Sequence, residues 1–438
     1  MNIIIAGAGK VGFNLAKTLC IGHNVTIIDK NSEALYRIQE SLDIMPLGGD
    51  VEDAKTYEGL RDKKIDLFIA VTNIDNVNLI ATLVADTVLE IKRKIVRLQK
   101  EFFAGSEIQE RLGIDKLIFP IQLASEAIAS LLYYPKANNV KFFHYTQQKL
   151  ISVMVSNIFI PKKLTLEYAH IVGIERKKEF FIPQSEDVEV LPGDLLYFFG
   201  PEDEIRSICP ELEVDATQRI EKCVVFGGDE LGLAIAQKLI QSGREVKLVE
   251  KDLKLCEEAD EALHGKASII NSKYSSHDVF EEESFEYADI FIAATNNDEF
   301  NIIKSLEAQE SGIKKVVAIN NEMEYYNLMH SLGIVVVRGP KMSAYNTIME
   351  DIGSTGVVIQ KSYCGAKAIV FMRKVFATSK LIEKRVKAPK FKSARLLYIR
   401  DQRSYLFDQK VYLQEDDVIV AFCVAKESMK VKQWIYEL

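Results

Sequence analysis

At 438 residues, with 48% hydrophobic side chains, the chain is long enough to bury several cores, and roughly 150 residues per domain predicts two to four domains. The net charge of −8 gives no basic footprint for nucleic acid, so we expect no nucleic-acid partner. The six cysteines include no C-x-x-C pair, which argues against a disulfide framework or a zinc site and fits a reducing cytoplasm.

The first thirty residues carry the pattern of a dinucleotide-binding loop. A strand predicted at residues 2–6 leads into Gly7, Gly9 and Gly12 at G-x-G-x-x-G spacing, where a helical pattern begins. Gly7 permits a tight turn, Gly9 lets the backbone approach a pyrophosphate, and Gly12 lets the helix pack closely on the strand. The remaining candidate cofactor-binding residues of the loop are Ala8, Lys10 and Val11. Because the chain enters this strand at once, we expect no secretory signal.

A second strand, predicted at residues 24–29, ends at Asp29, and Lys30 follows it. A carboxylate at this position accepts hydrogen bonds from a ribose diol. It would also repel a 2′-phosphate, so the sequence favours NAD or another plain adenine nucleotide over NADP.

Apolar strands alternate with helical segments through the first part of the chain. The predicted strands cover residues 2–6, 24–29, 44–47, 65–71, 94–98 and 116–119. This alternation predicts an α/β fold with a doubly wound, Rossmann-like parallel sheet and helices on both faces. Ligands of such sheets bind at the carboxyl edge of the strands.

Two groups of polar residues follow strands at that edge. After the third strand, Gly49 and Asp50 are predicted to close over an adenine, with a helix cap as the alternative for Asp50. Arg97 ends the fifth strand and is predicted to pair with phosphate.

After the fourth strand comes the sequence Thr72-Asn73-Ile74-Asp75-Asn76, at the carboxyl edge of the sheet. We predict that these side chains meet the ribose or the diphosphate. The alternative for Thr72 and Asn73 is a helix N-cap, which does not exclude ligand contact.

The most apolar long stretch is Leu117 to Tyr134, which contains Gln122, Ser125 and Glu126. It is too polar for a membrane span of about 20 mostly apolar residues. We expect a helix packed on protein at a subunit interface, so that any membrane association goes through a partner.

The chain is an internal duplication. Residues 66–80 align without gaps to residues 289–303, and Gly7 pairs with Gly227, Asp29 with Glu250 and Pro120 with Pro340. Each copy is about 220 residues long, so one large unit occurs twice.

Each copy is predicted to hold a Rossmann lobe followed by a small α+β lobe with turns such as 191–194 and 413–417. The predicted domains are residues 1–136, 137–217, 218–352 and 353–438, in the order Rossmann, small, Rossmann, small. The expected joints lie at residues 137–148, 211–219 and 351–365.

The second glycine loop differs from the first, because Asp229 stands where the second glycine belongs. A carboxylate about 4 Å from a phosphate charge costs roughly 1 kcal/mol in water and about 4 kcal/mol near a protein surface. The sequence alignment also matches Arg97 with Ala318, which removes the cation. We therefore predict that this lobe binds nucleotide weakly or not at all and that Glu250 is a leftover of the duplication.

No catalytic constellation is recognisable, and no metal site is predicted. None of the six histidines has a partner pattern, and neither loop is followed by a Walker-type lysine. Tyr363 and Lys367 have Tyr-x-x-x-Lys spacing, but Gly365 interrupts the helix that such a pair requires. We expect a protein that is not an enzyme; the alternatives are an NAD-dependent dehydrogenase and a redox-sensing transcriptional regulator, the latter lacking a visible basic winged helix.

The loop Gly7 to Gly12, Asp29, the Ala70-Val71-Thr72-Asn73 stretch with Asp75 and Asn78, and the Leu191-Pro192-Gly193-Asp194 turn resemble the tandem RCK (KTN) regulators of potassium transport. The resemblance covers essentially the whole chain.

This resemblance implies a cytoplasmic regulatory subunit, peripheral to the inner face of the cell membrane. It implies binding of NAD(H), and also ATP or ADP, in the first lobe, with Asn78 among the residues that contact the ligand. It further implies a homo-oligomeric ring, a tetramer built as a dimer of dimers, which gates a TrkH-type membrane potassium channel subunit. In such proteins a long helix at the end of the Rossmann lobe makes dimer contacts; 117–134 looks like that helix, and 345–351 like its partial counterpart.

Overall fold

The computed structural model describes residues 1–103, 107–133, 137–143, 145–212, 220–273, 279–353, 358–382 and 384–438. These residues form two compact units, one of residues 1–124 with 338–349 and one of residues 125–337 with 350–438. Each of the three predicted joints includes positions outside the described residues. No helix in the described ranges is long and apolar enough to cross a lipid bilayer.

The first unit contains a six-stranded parallel sheet. Its strands are β1 Asn2–Ala6, β2 Asn24–Asp29, β3 Met45–Gly48, β4 Leu67–Ala70, β5 Lys94–Arg97 and β6 Lys116–Ile118. Their order is β3-β2-β1-β4-β5-β6, the doubly wound order with its switch point between β1 and β4. All six predicted strands are confirmed within about two residues at each end.

Helices follow the strands because the apolar pattern switches period between them. They are α1 Lys10–Leu19, α2 Ser32–Ser41, α3 Ala54–Tyr57, α4 Asp75–Val88, α5 Ile108–Arg111 and α6 Pro120–Tyr133. The predicted start of the interface helix at Leu117 is wrong, because residues 116–118 pair with β5 as a strand. Helix α6 begins in the first unit and continues in the second, to which residues 125–133 belong.

The first small lobe is an antiparallel sheet in the order β11-β10-β13-β8-β7, with a separate β12-β9 ladder. Its elements are β7 Asn139–Lys141, β8 Lys149–Met154, β9 Lys162–Lys163, β10 His170–Arg176, β11 Glu179–Phe181, β12 Glu189–Val190, β13 Leu195–Gly200 and α7 Glu202–Leu212. Helix α7 contributes Ile205, Cys209 and Leu212 to a core with the sheet.

The second Rossmann lobe repeats the first, with the strand order β16-β15-β14-β17-β18-β19. Its strands are β14 Lys222–Phe226, β15 Glu245–Glu250, β16 Ser268–Asn271, β17 Ile290–Ala293, β18 Lys315–Asn320 and β19 Val335–Arg338. Its helices are α8 Glu230–Gln241, α9 Leu253–Leu263, α10 Val279–Glu282, α11 Asp298–Glu310, α12 Tyr326–Ser331 and α13 Pro340–Ile352.

Helix α13 includes the predicted counterpart helix 345–351 and is longer than predicted. Its residues 340–349 belong to the first unit, where the hydroxyls of Tyr345 and Thr18 lie 2.9 Å apart.

The second small lobe repeats the first, with the order β20-β21-β26-β23-β24 and a β22-β25 ladder. Its elements are β20 Val358–Tyr363, β21 Ala368–Lys374, β22 Arg385–Lys387, β23 Ala394–Arg400, β24 Arg403–Leu406, β25 Lys410–Tyr412, β26 Val418–Val424 and α14 Ser428–Glu437. The duplicated α/β and α+β fold class predicted from the sequence is confirmed.

The two small lobes share one hydrophobic core, which the sequence did not predict. The rings of Phe199 and Phe422 have centroids 5.0 Å apart, and those of Tyr197 and Tyr363 are 5.4 Å apart. Aromatic pairs at such distances add to the burial energy of the lobes.

Tyr363 and Lys367, which have the Tyr-x-x-x-Lys spacing, stabilise the contact between the two small lobes. The Tyr363 hydroxyl donates to the carbonyl of Val172 (3.0 Å), and the Lys367 ammonium pairs with Glu175 (2.5 Å). Both residues flank the β20–β21 turn, so they do not form the helical pair that hydride chemistry would use.

The turns predicted in the small lobes form around buried ion pairs. Asp194, which is fully buried, accepts two hydrogen bonds of 2.7 Å from Arg176 and one from the Leu191 N–H. Asp417 and Arg400 repeat the two-point pair in the second lobe, at 2.9 and 2.6 Å. Two parallel hydrogen bonds between a guanidinium and a carboxylate are the geometry that best compensates the two charges for their lost hydration.

Replacing Asp194 by Ala should destabilise the protein by about 3 kcal/mol, because the Arg176 guanidinium loses its buried partner. The midpoint of urea unfolding should fall accordingly. The control is Asp187→Ala, which removes an exposed pair with Lys163 (3.6 Å) and should cost at most about 1 kcal/mol. Equal shifts for the two variants would contradict this account.

His170 is a buried titratable group between the small lobes. Its Nδ1 lies 3.0 Å from Glu186, its Nε2 lies 3.2 Å from the carbonyl of Ser404, and Arg395 also pairs with Glu186. Burial lowers the pKa of His170 from 6.5 to about 4, so the imidazole is neutral at pH 7.

Because the unfolded chain takes up a proton near pH 6.5 and the folded chain only near pH 4, stability should fall as the pH drops through that window. The loss should reach up to about 3 kcal/mol at the acid end. In His170→Gln this part of the pH dependence should disappear, as judged by urea midpoints at pH 7.5 and pH 5. A control at the exposed His264, changed to Asn, should keep the wild-type profile.

Candidate functional site

The glycine loop between β1 and α1 has two positions, Gly7 and Gly12, that cannot accommodate a side chain. Gly7 has a φ of +112° and donates its N–H to the carbonyl of Ile28 (2.9 Å). A Cβ on Gly12 would lie 1.9 Å from the Gly7 carbonyl oxygen. The loop can therefore form only with glycine at both positions.

Gly9 has a different task, because a Cβ there would meet no atom within 4 Å. It is the N-cap residue of α1, with φ −69° and ψ −176°, and it has no side chain that could cap the helix. Gly9 therefore leaves the N–H groups of Val11 and Gly12 without an acceptor from the N-cap residue, and uncapped N–H groups at a helix start favour binding of a phosphate.

Asp29 lies beside this loop and is partly exposed. One carboxylate oxygen accepts the Ala8 N–H (2.6 Å) and the other accepts the Asn31 N–H (2.8 Å). Each carboxylate oxygen accepts more than one hydrogen bond, so capacity remains for a ribose diol.

Arg97 is a buried cation at the carboxyl edge, with 6% of its surface exposed. Its Nη1 donates to Asn73 (3.2 Å), whereas its Nε has no hydrogen-bond partner in the described part of the chain. Burial lowers its pKa and the nearby Asp75 raises it, but a guanidinium keeps its charge at neutral pH. A phosphate at this edge would satisfy both the charge and the unpaired N–H.

Asn78 was predicted to contact the ligand, but it is fully buried and its amide is saturated. Its oxygen accepts the N–H and the hydroxyl of Thr72 (2.9 and 2.7 Å), and its nitrogen donates to the carbonyls of Thr72 and Arg97 (3.0 and 2.8 Å). Asn78 therefore ties the β4 and β5 edges together.

Asp75 is similarly committed, with 8% exposure and hydrogen bonds from the N–H groups of Gln99 (2.8 Å) and Lys100 (2.9 Å). It holds the loop after β5 instead of a ligand. Gln99, which the sequence did not single out, lies at the same edge and donates to the Asn73 carbonyl (2.6 Å).

The helix-cap alternatives are wrong. The N-cap of α4 is Ile74, not Thr72 or Asn73, and the N-cap of α3 is Asp53, not Asp50. Asp50 instead accepts the N–H of Glu52 (3.0 Å).

The other predicted site residues differ in their exposure to solvent. Gly49 donates its N–H to the Asp29 carbonyl (3.1 Å), which brings the end of β3 beside Asp29. Lys10 and Lys30 are exposed, whereas the side chain of Val11 is buried in the core and cannot face a ligand.

In the second lobe Asp229 adopts the same backbone conformation as Gly9, φ −69° and ψ −176°. Its carboxylate accepts the N–H groups of Leu231 (3.0 Å) and Gly232 (3.2 Å) and the amide of Asn296 (2.7 Å). Burial raises its pKa, and these hydrogen bonds act in the opposite direction. The carboxylate thus takes the place that the first lobe leaves open for a phosphate.

Glu250 is not an idle leftover. It is 2% exposed, and it accepts the N–H groups of Gly228 (2.6 Å), Lys251 (2.8 Å) and Asp252 (2.9 Å). Its carboxylate thus links the second glycine loop, through Gly228, to the chain that follows β15.

The counterpart of Arg97 is Ile319, not Ala318. Asn301 donates to the Ile319 carbonyl (2.9 Å) as Asn78 donates to the Arg97 carbonyl, so the sequence alignment was off by one residue. The conclusion is unchanged, because an apolar side chain still replaces the cation.

The fold and the site define a protein with two Rossmann lobes, of which the first has an open glycine loop and the second a self-capped one. The TrkA-N domain family matches residues 3–120 and 223–340, which is both Rossmann lobes. The chain therefore belongs to the TrkA-N domain family.

Curated relatives support this assignment over the length of the chain. The chain is 29% identical to the Trk system potassium uptake protein TrkA of Halomonas elongata, over 82% of this chain and 80% of that protein. It is 26% identical to the Trk system potassium uptake protein TrkA of Vibrio alginolyticus, over 98% and 96%.

Solved structures share the fold at low sequence identity. The GsuK channel bound to NAD has a TM-score of 0.63 at 15% identity and matches 100% of this chain and 79% of its own. The GsuK RCK domain has a TM-score of 0.62 at 14% identity, with coverage of 100% and 95%. GsuK bound to ADP has a TM-score of 0.52 at 13% identity, with coverage of 80% and 68%.

Removal of the Asp229 carboxylate should cost about 1 kcal/mol, because α8 loses its N-cap. The measurement is the thermal midpoint of Asp229→Ala. The matched control is Gly9→Ala, at the same backbone position of α1, which removes no cap and meets no neighbouring atom. If Asp229→Ala proves no less stable than Gly9→Ala, the capping role is excluded.

Proposed function

We propose that the chain is a nucleotide-sensing regulatory subunit of a Trk-type potassium uptake system, with its nucleotide bound in the first Rossmann lobe. The observation that carries this proposal is the difference between the two glycine loops. Gly9 has no side chain to cap the N–H groups of α1, whereas Asp229 caps the N–H groups of α8 in the duplicate. A sensor needs one site that a ligand can fill and a scaffold that can transmit its occupancy.

The ligand we propose is NAD(H), with ATP or ADP as competitors for the same site. The N-terminus of α1 and Arg97 would hold the diphosphate, and Asp29 would hold the adenosine ribose. The unpaired Nε of Arg97 and the free volume at Gly9 support an anionic group there. The related fold of GsuK is described in NAD-bound and ADP-bound forms, which fits this choice.

The proposed partner is a TrkH-type membrane potassium channel subunit, beneath which the chain would assemble as a tetrameric ring at the inner face of the membrane. The names of the curated relatives support a role in potassium uptake. Nucleotides would act by linkage, shifting the channel only by their differential affinity for its two states. A shift from mostly closed to mostly open requires on the order of 5 kcal/mol, which several sites on a ring would share.

We propose no catalytic step. The Tyr363 hydroxyl and the Lys367 ammonium, which a dehydrogenase could have used, are both engaged in the small-lobe core. His144 and His277 lie outside the described residues, and His170 is held between the small lobes. A rise in nicotinamide absorbance with NAD and a panel of alcohols or hydroxy acids would overturn this view.

Isothermal titration should give one NAD site per chain. In Gly9→Asp the new carboxylate should cap α1 from within and weaken NAD binding at least about 100-fold, because close like charges repel by about 4 kcal/mol at a protein surface. The thermal midpoint without ligand should not fall, since Asp is at least as good an N-cap as Gly.

The control is Asp229→Asn, which keeps a capping side chain in the second lobe and should leave NAD affinity unchanged. Two equivalent NAD sites in the wild type, or full binding by Gly9→Asp, would contradict the proposed site. Regulation is tested separately, by nucleotide-dependent potassium flux through a TrkH-type channel in vesicles with wild-type or Gly9→Asp protein.

A further inference from the structure

A basic cavity lies in the second unit, away from both glycine loops. It has a volume of about 580 Å³, within the range of small-molecule sites, and is formed by the first small lobe and the second Rossmann lobe. Lys177 and Lys178 line it from the β10–β11 turn, and Lys314 lines it from the segment before β18. Within the described ranges none of these three ammonium groups has a carboxylate partner.

The acidic residue of the cavity is already neutralised. Glu175 is 5% exposed, and its carboxylate pairs with the Lys367 ammonium at 2.5 Å and with the Cys364 thiol at 3.2 Å. The charge left to the cavity therefore comes from the three lysines and is positive.

His330 adds a polar atom that lacks a partner. Its Nε2 is buried and has no hydrogen-bond partner in the described part of the chain, while its ring stacks on Tyr326 with centroids 6.0 Å apart. Burial lowers the pKa of His330, so the imidazole is neutral near pH 7 and can offer a single N–H.

The stability of the β10–β11 turn does not explain why it contains two lysines. Lys177 and Lys178 both have left-handed backbones, with φ of +50° and +70°, where Asn, Asp and Gly are favoured. The equivalent turn of the second small lobe joins β23 to β24 through Asp401 and Gln402, at φ +50° and +60°. The same backbone therefore forms without lysine, and only the copy that lines this cavity is basic.

We propose that the cavity binds a small phosphate-bearing anion, of the class of nucleoside polyphosphates or inorganic polyphosphate. The three lysines would neutralise the phosphate oxygens, the His330 N–H would donate to one of them, and Met154 and Val155 provide an apolar wall. A ligand held by both lobes stabilises their arrangement by its binding free energy, so this site would act as a second input to regulation. It does not depend on nucleotide binding at the first glycine loop.

The test uses the full chain carrying Gly9→Asp, so that the first loop is blocked, and titrates it with inorganic tripolyphosphate and separately with ATP. We expect one site per chain for tripolyphosphate, with affinity that falls as salt is raised. Tighter binding of ATP than of tripolyphosphate would identify a nucleoside ligand, and the reverse order an inorganic one.

The decisive variant is Lys177→Asp with Lys178→Gln, which copies the turn of the second small lobe and should fold because that sequence already adopts this backbone. It should weaken tripolyphosphate binding at least about 10-fold. His330→Phe, which keeps a ring against Tyr326, should weaken it several-fold. The control Lys390→Gln with Lys392→Gln alters exposed lysines outside the cavity and should leave binding unchanged.

Three results would each overturn the proposal. These are no tripolyphosphate or ATP binding by the Gly9→Asp protein, binding that survives the turn exchange, and binding that the control variant weakens as much as the turn exchange does. Because the first loop is blocked throughout, none of these results bears on the NAD site.

Discussion

The backbone N–H groups at the start of a helix that follows a Rossmann strand need an acceptor, and the two halves of this chain satisfy that need differently. In the first half the N-cap is Gly9, which has no side chain to act as that acceptor. In the second half Asp229 supplies a carboxylate from the chain itself, at the same φ and ψ. One residue therefore decides whether the N-cap side chain satisfies these N–H groups.

The difference is local because both loops stand on the same supports. Asn78 and Asn301 each join two strand edges through four hydrogen bonds, and Asp75 and Asp298 each accept the N–H groups of the following loop. These residues do not choose the ligand. They fix the carboxyl edge of the sheet in both lobes, so that the lobes keep the same edge although they differ at the N-cap and at Arg97.

The shared core of the small lobes gives the second unit a different kind of rigidity. Tyr363 from one lobe donates a hydrogen bond to Val172 of the other, and Glu175 pairs with Lys367 across the same boundary. Separation of the lobes would break the ion pair and expose the aromatic contacts, so both oppose it.

Much of this molecule follows from the sequence. The order of strands and helices, the duplication, the turn at Gly7, the close packing at Gly12 and the acidic residue at Asp229 depend on local backbone requirements and on periodicity, which a single sequence displays. The tertiary structure alone showed that Asp75 and Asn78 serve the backbone, that Glu250 pins its loop and that Ile319 replaces Arg97. It also showed that the small lobes share a core and that lysines gather at one cavity. Those outcomes depend on which distant groups meet and on a one-residue shift in register, and hydrogen-bond partners 19 or more residues apart leave no local pattern in the sequence.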